Sequence, residues 1–146
     1  MTFPHADRPI EVLLVEDNPG DVRLTREAMR EAKVKNSLHV VRDGAEAMAF
    51  LRRERPFTEA VTPDLILLDL NLPKKNGREV LEEIKQDETL RNIPVIILTT
   101  SQADRDVLDC YRLRANAYVP KPVGLEHFLE VASTIQEFWL RIVRLP

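Results

Sequence analysis

Three unbroken apolar runs constrain this chain more than any other feature: Val12-Leu13-Leu14-Val15, Leu65-Ile66-Leu67-Leu68 and Val95-Ile96-Ile97-Leu98. Each has the length of a strand rather than a helix. A strand that is apolar at every position is buried on both faces, which happens in a parallel sheet covered by helices above and below. The runs predict strands over residues 11–16, 64–69 and 95–99. A short fourth strand is predicted over 117–119. Residues 38–42 form a fifth, more polar candidate suited to an edge.

Helical patterns fill the intervals. Asn18 before Pro19 offers a cap followed by proline at the first helical position, and Val22, Thr25, Met29 and Ala32 continue as a stripe. Asp43-Gly44-Ala45-Glu46 has the form of a capping box opening a helix through Leu51. Residues 78–85 put Val80, Leu81 and Ile84 on one face. Ser101 with Asp104 predicts a helix to about Leu113, with Val107, Cys110 and Tyr111 inward, and residues 125–140 give the longest helix. Strand alternating with helix implies an α/β, doubly wound five-stranded parallel sheet in a three-layer sandwich with right-handed crossovers. Residues 54–63 read as a long loop.

The apolar runs end in acids. Glu16-Asp17 follows the first and Asp69 the second, while Thr99 closes the third and Lys121 follows the last strand. In open α/β sheets, ligands bind beyond the carboxyl ends of the strands. A single acid there is ordinarily a turn residue or a helix cap. Three acids, a hydroxyl and an ammonium converging from four strand ends are harder to obtain by accident. Clustered carboxylates repel one another unless a cation sits among them. The set suits a hard divalent metal such as magnesium and phosphoryl transfer onto the Asp69 carboxylate, with Thr99 and Lys121 contacting phosphoryl oxygens.

The rest of the composition narrows the field. The chain has 146 residues, 44% of them hydrophobic and 31% charged, with a net charge of -3. That is the make-up of one soluble domain with no general attraction to nucleic acid. No run is long enough to span a bilayer and no signal-peptide core precedes residue 10. The lone Cys110 excludes an internal disulfide and fits a reducing, cytoplasmic setting. Four glycines and no Gly-rich phosphate loop argue against a nucleotide-binding sheet. His5, His39 and His127 lack metal-ligand spacing.

Val15-Glu16-Asp17-Asn18, Leu67-Leu68-Asp69-Leu70-Asn71-Leu72-Pro73, Asn76-Gly77, Ile97-Leu98-Thr99 and Tyr118-Val119-Pro120-Lys121-Pro122 together resemble the receiver domain of two-component response regulators. The resemblance runs from Ile10 to about Phe138 and implies the flavodoxin-like receiver fold. It implies that Asp69 is the phosphoacceptor, catalysing only its own phosphorylation and dephosphorylation, with Mg2+ as cofactor. The metal ligands it implies are Asp17, Asp69 and the backbone carbonyl of Asn71, with Glu16 acting through water. Thr99 and Lys121 match the hydroxyl and the lysine that meet the phosphate. Thr99 and Tyr118 match the switch pair. Thr100 departs from the small residue frequent after that threonine, and narrows the space into which Tyr118 would turn.

The layout expected is a tail over 1–9, a receiver domain over 10–140 and an apolar extension of the last helix over 141–146. Leu125, Phe128, Leu129, Ala132, Ile135, Trp139 and Ile142 lie on one helical stripe, more than one sheet face covers. A homodimer is the favoured reading, with Phe138, Trp139, Ile142, Val143 and Leu145 at the interface. The long loop and this ending resemble the stand-alone response regulators of bacterial and cyanobacterial phytochromes. The partners implied are a sensor histidine kinase of that kind and an unidentified downstream protein, without direct nucleic-acid or membrane contact. Two alternatives stand beside this: a nonphosphorylated interaction module on the same fold, and an aspartyl-nucleophile phosphohydrolase. Such hydrolases place a second acid two residues past the nucleophile, where this chain has Asn71.

Overall fold

The computed structural model describes residues 9–31, 35–70, 72–99 and 117–120, with Thr99 and 117–120 described at the level of the backbone. The elements are β1 (Ile10–Val15), α1 (Pro19–Glu31), β2 (Asn36–Val41), α2 (Gly44–Arg52), β3 (Leu65–Leu68), α3 (Gly77–Gln86), β4 (Val95–Thr99) and β5 (Ala117–Pro120). The strands form one sheet in the order β2-β1-β3-β4-β5, every neighbouring pair parallel. The more polar β2 lies at an edge, as its composition predicts. It starts earlier than residue 38, because the ladder with β1 begins at Ile10 opposite Asn36. The helices expected over 101–113 and 125–140 lie outside the described residues.

Alternation along each strand divides the apolar runs between two layers. Leu13, Val15, Ile66, Leu68, Val95 and Ile97 pack with Ala47, Met48 and Leu51 of α2 and with Val80, Leu81 and Ile84 of α3. Val12, Leu14, Leu65, Leu67, Ile96 and Leu98 join Met29 of α1 on the other face. Both faces are dry: Leu13, Ile66, Leu67, Leu68 and Ile97 have no exposed surface. Burying side chains of this size is worth roughly 1.5–3 kcal/mol each, so the central strands anchor everything mounted on their ends.

The helix starts follow local chemistry. Asn18 Oδ1 accepts from the Gly20 and Asp21 N–H groups at 2.9 and 3.1 Å, capping α1. Asn76 caps α3 by accepting from Glu79 N–H. At α2 the capping box is only half formed. Asp43 Oδ1 accepts from Glu46 N–H at 2.8 Å, but Glu46 reaches back to the N–H of Arg42, at 3.5 Å, rather than to that of Asp43. Residues 54–63 form the expected loop, closed over the core by Phe57, whose ring lies 5.5 Å from that of Phe50.

Candidate functional site

The register of β1 against β3 builds the site. Val15 lies opposite Leu68, so the residues that follow, Glu16 and Asp69, emerge side by side at the carboxyl edge. Two backbone bonds carry the alignment past the strands: Asp69 N–H donates to the Val15 carbonyl at 3.1 Å, and Glu16 N–H to that of Val41 at 3.0 Å. Glu16, Asp17 and Asp69 each offer a carboxylate oxygen, and these oxygens all lie within 4.8 Å of one another. Glu16 is 1% exposed and Asp69 4%, whereas Asp17 is open to solvent.

Two buried carboxylates with a third at the mouth concentrate negative charge where water screens it poorly. Hard oxygen donors at this spacing fit a divalent cation of the magnesium or manganese type. The exposure of Asp17 opens the cluster to solvent on that side. The turn after β1 orients one wall: Asn18 N–H donates to Glu16 Oε1 at 3.0 Å while the Asn18 side chain caps α1.

The loop leaving β3 is drawn in tightly. Gly77 N–H and Leu72 N–H both donate to the Leu70 carbonyl, at 3.0 and 3.2 Å. A Cβ on Gly77 would lie 2.3 Å from the Asp69 carbonyl oxygen and 2.6 Å from Leu70 Cα. Only glycine lets the first residue of α3 rest on the backbone of Asp69. The chemistry-bearing side chains alone do not reveal this requirement. Its signal is the Asn-Gly pair shortly after an apolar run.

The fold brings Glu16, Asp17 and Asp69, which the sequence groups, together in space. Thr99 ends β4 at the same sheet edge, level with Pro120, and Tyr118 of β5 lies opposite Ile97. The side chains of Thr99 and Tyr118 lie outside the described residues, as do Asn71 and Lys121 and the interface set of Phe138, Trp139, Ile142, Val143 and Leu145. Arg52 and Lys75 share Glu83: Lys75 Nζ is 2.5 Å from Glu83 Oε2 and Arg52 Nη1 is 3.8 Å from Oε1.

The family model of the response regulator receiver domain matches residues 12–133. The chain belongs to that family. Response regulator Rcp1 of Synechocystis sp. is 46% identical to it over 138 residues, 94% of each chain. Among solved structures, the phosphorylated cyanobacterial phytochrome response regulator RcpA is 48% identical, with a TM-score of 0.87 over 94% of this chain and 99% of its own. The Mn(2+)-bound form of Rcp1 is 46% identical, with a TM-score of 0.85 at the same coverage. Receiver domains are in general not classical enzymes. Among the described residues, no helix is long and apolar enough to cross a membrane.

Proposed function

We propose that this receiver is a phosphoacceptor switch in a two-component relay, with Asp69 as the acceptor. The observation that carries the reading is the convergence of Glu16, Asp17 and Asp69 at the carboxyl edge of a receiver sheet. An Asp69 carboxylate oxygen attacks phosphorus, an acyl phosphate bond forms, and the bond to the donor breaks. With a phosphohistidine donor the leaving group is the kinase imidazole, which takes up a proton. Hydrolysis by water returns the carboxylate and inorganic phosphate. The residues that would hold magnesium are Asp17, Asp69 and the Asn71 carbonyl, with Glu16 acting through water. Magnesium, when bound, neutralises phosphoryl oxygens and favours in-line displacement. Thr99 and Lys121 receive the phosphoryl oxygens, and Tyr118 follows Thr99 in the switch. Catalysis is confined to the chain's own phosphorylation and dephosphorylation.

The similarity to Rcp1 and RcpA supports a phytochrome-type histidine kinase as donor. The proposed layout keeps a tail over 1–9, the receiver over 10–140 and an apolar extension over 141–146. In this layout Phe138, Trp139, Ile142, Val143 and Leu145 contribute to a cytoplasmic homodimer that signals to a downstream protein. The test is phosphorylation by acetyl phosphate with magnesium, read by intact mass. Wild type should gain one phosphoryl group that hydroxylamine removes, and Asp69→Asn should gain none. Uptake that persists in Asp69→Asn refutes the assignment.

A further inference from the structure

The loop that leaves the acceptor strand is also held from a second side, by the start of α2. A Cβ on Gly44 would lie 2.2 Å from the Lys75 carbonyl oxygen, 2.7 Å from Lys75 Cβ and 2.8 Å from Val80 Cγ2. Gly44 has no positive φ, so what the position demands is space, not conformational freedom. Next to this contact, Lys74 adopts a left-handed backbone with φ 64. That conformation is unfavourable for a lysine and persists where the surroundings hold it. Asp43 lies beside Lys74. Its Oδ1 caps α2 through Glu46 N–H, and its Oδ2 lies 3.7 Å from Lys74 Nζ. Lys75 is tied on the α3 side through Glu83. The far end of the same loop is Gly77, seated on the Asp69 carbonyl.

We propose that Asp43 and Gly44 are positioning residues for the acceptor loop, setting how well the acidic cluster binds its cation. Between Gly44 on Lys75 and Gly77 on Asp69 stands only Asn76. Close-packed interiors transmit displacements rather than absorb them. A side chain at Gly44 displaces Lys75, and the displacement passes through the loop to the Asp69 peptide and its alignment with Glu16 and Asp17. The inference rests on the reading of the cluster as a magnesium site.

The experiment is calorimetric titration of the full chain with magnesium chloride, with thermal unfolding recorded alongside. Gly44→Ala should weaken magnesium affinity by about tenfold or more, the scale seen when groups supporting a metal's ligands are disturbed. Met29→Ala, a truncation in the other core layer, should lower the melting temperature yet keep affinity within about twofold of wild type. Asp43→Ser keeps a capping oxygen but loses the charge facing Lys74, and should cost about two- to fivefold. Lys74→Arg keeps the charge and should retain wild-type affinity. The inference fails if Gly44→Ala binds magnesium as tightly as wild type, or if Met29→Ala loses as much. Should Gly44→Ala not fold, equal affinities for Asp43→Ser and Lys74→Arg overturn it. Wild type that binds no magnesium refutes the metal reading itself, a result distinct from wild-type binding with an unaffected Gly44→Ala.

Discussion

The two ends of the β1–β3 pair carry the same kind of residue in opposite circumstances. At the amino end, Glu11 and Asp64 are each provided with a partner of their own. Asp64 Oδ2 accepts from Glu11 N–H at 2.8 Å, and Glu11 Oε2 meets His39 Nε2 at 2.6 Å. Asp87, just past α3, is a further case of this kind. Its carboxyl is held below the usual aspartate range by the Thr89 hydroxyl and then by the Thr89 N–H. At the carboxyl end, Glu16, Asp17 and Asp69 turn their oxygens toward one another. Acids held apart from one another, each beside its own donor, are structural. Acids gathered around a shared space make a site for a cation, because separate charges are harder to hold together than apart.

Metal binding separates the two ends most sharply. Asp17→Asn should weaken magnesium binding by about a hundredfold, as expected for removing a unit charge beside a divalent ion in a partly exposed site. Asp64→Asn should change it by less than about twofold. It sits at the other end of the strands, on the order of 16 Å away by strand rise, and beyond a Debye length at ordinary salt. Equal losses in calorimetry would mean that only net charge matters and would dissolve the distinction.

Packing is the next largest effect. Gly77→Ala should destabilise the fold by about 2–3 kcal/mol in urea denaturation, since its Cβ meets backbone that cannot move aside cheaply. A smaller value would show that the loop on Asp69 is softer than the close contact implies.

Smaller again is the structural acid. Asp64→Ala should cost about 1–2 kcal/mol by leaving the Glu11 N–H without this acceptor. In the metal-free protein Asp17→Asn should be neutral or slightly stabilising, because it relieves repulsion. Opposite signs in parallel urea titrations would sharpen the contrast between the ends, and two losses of similar size would break it.

The smallest effect is at acid pH. The folded-state pKa of Asp87 is depressed, so its contribution is present above the unfolded aspartate value and is lost as pH falls through the lowered one. Wild type should therefore shed stability below about pH 4, and Asp87→Asn should shed less of it over the same interval. Superimposable urea midpoints for the two proteins across that range would show that the Thr89 bonds contribute nothing.

Much of this was legible in the residues. The runs at Val12, Leu65 and Val95 announced doubly buried strands, because a sequence apolar at every position has no polar face to offer water. Asn18, Asp43 and Asn76 announced helix starts, because a cap is a contact between near neighbours in the chain. Element ends were less visible. β2 begins at Asn36 because β1 is there to pair with it, and Glu46 turns to Arg42 instead of completing a box with Asp43. The need for glycine at positions 44 and 77 was hidden too, since it comes from backbone brought close by packing rather than from any local turn.

What the order of residues determined by itself is therefore the kind of each element and the chemical character of its ends, properties set by alternation, capping and charge over a few neighbouring positions. What only the tertiary structure decided is which ends meet. The approach of Glu16 to Asp69, and of Gly44 to Lys75, depends on strand register and helix docking between distant stretches of chain. Those distances follow from how the whole interior fills its space, and no local stretch encodes them alone.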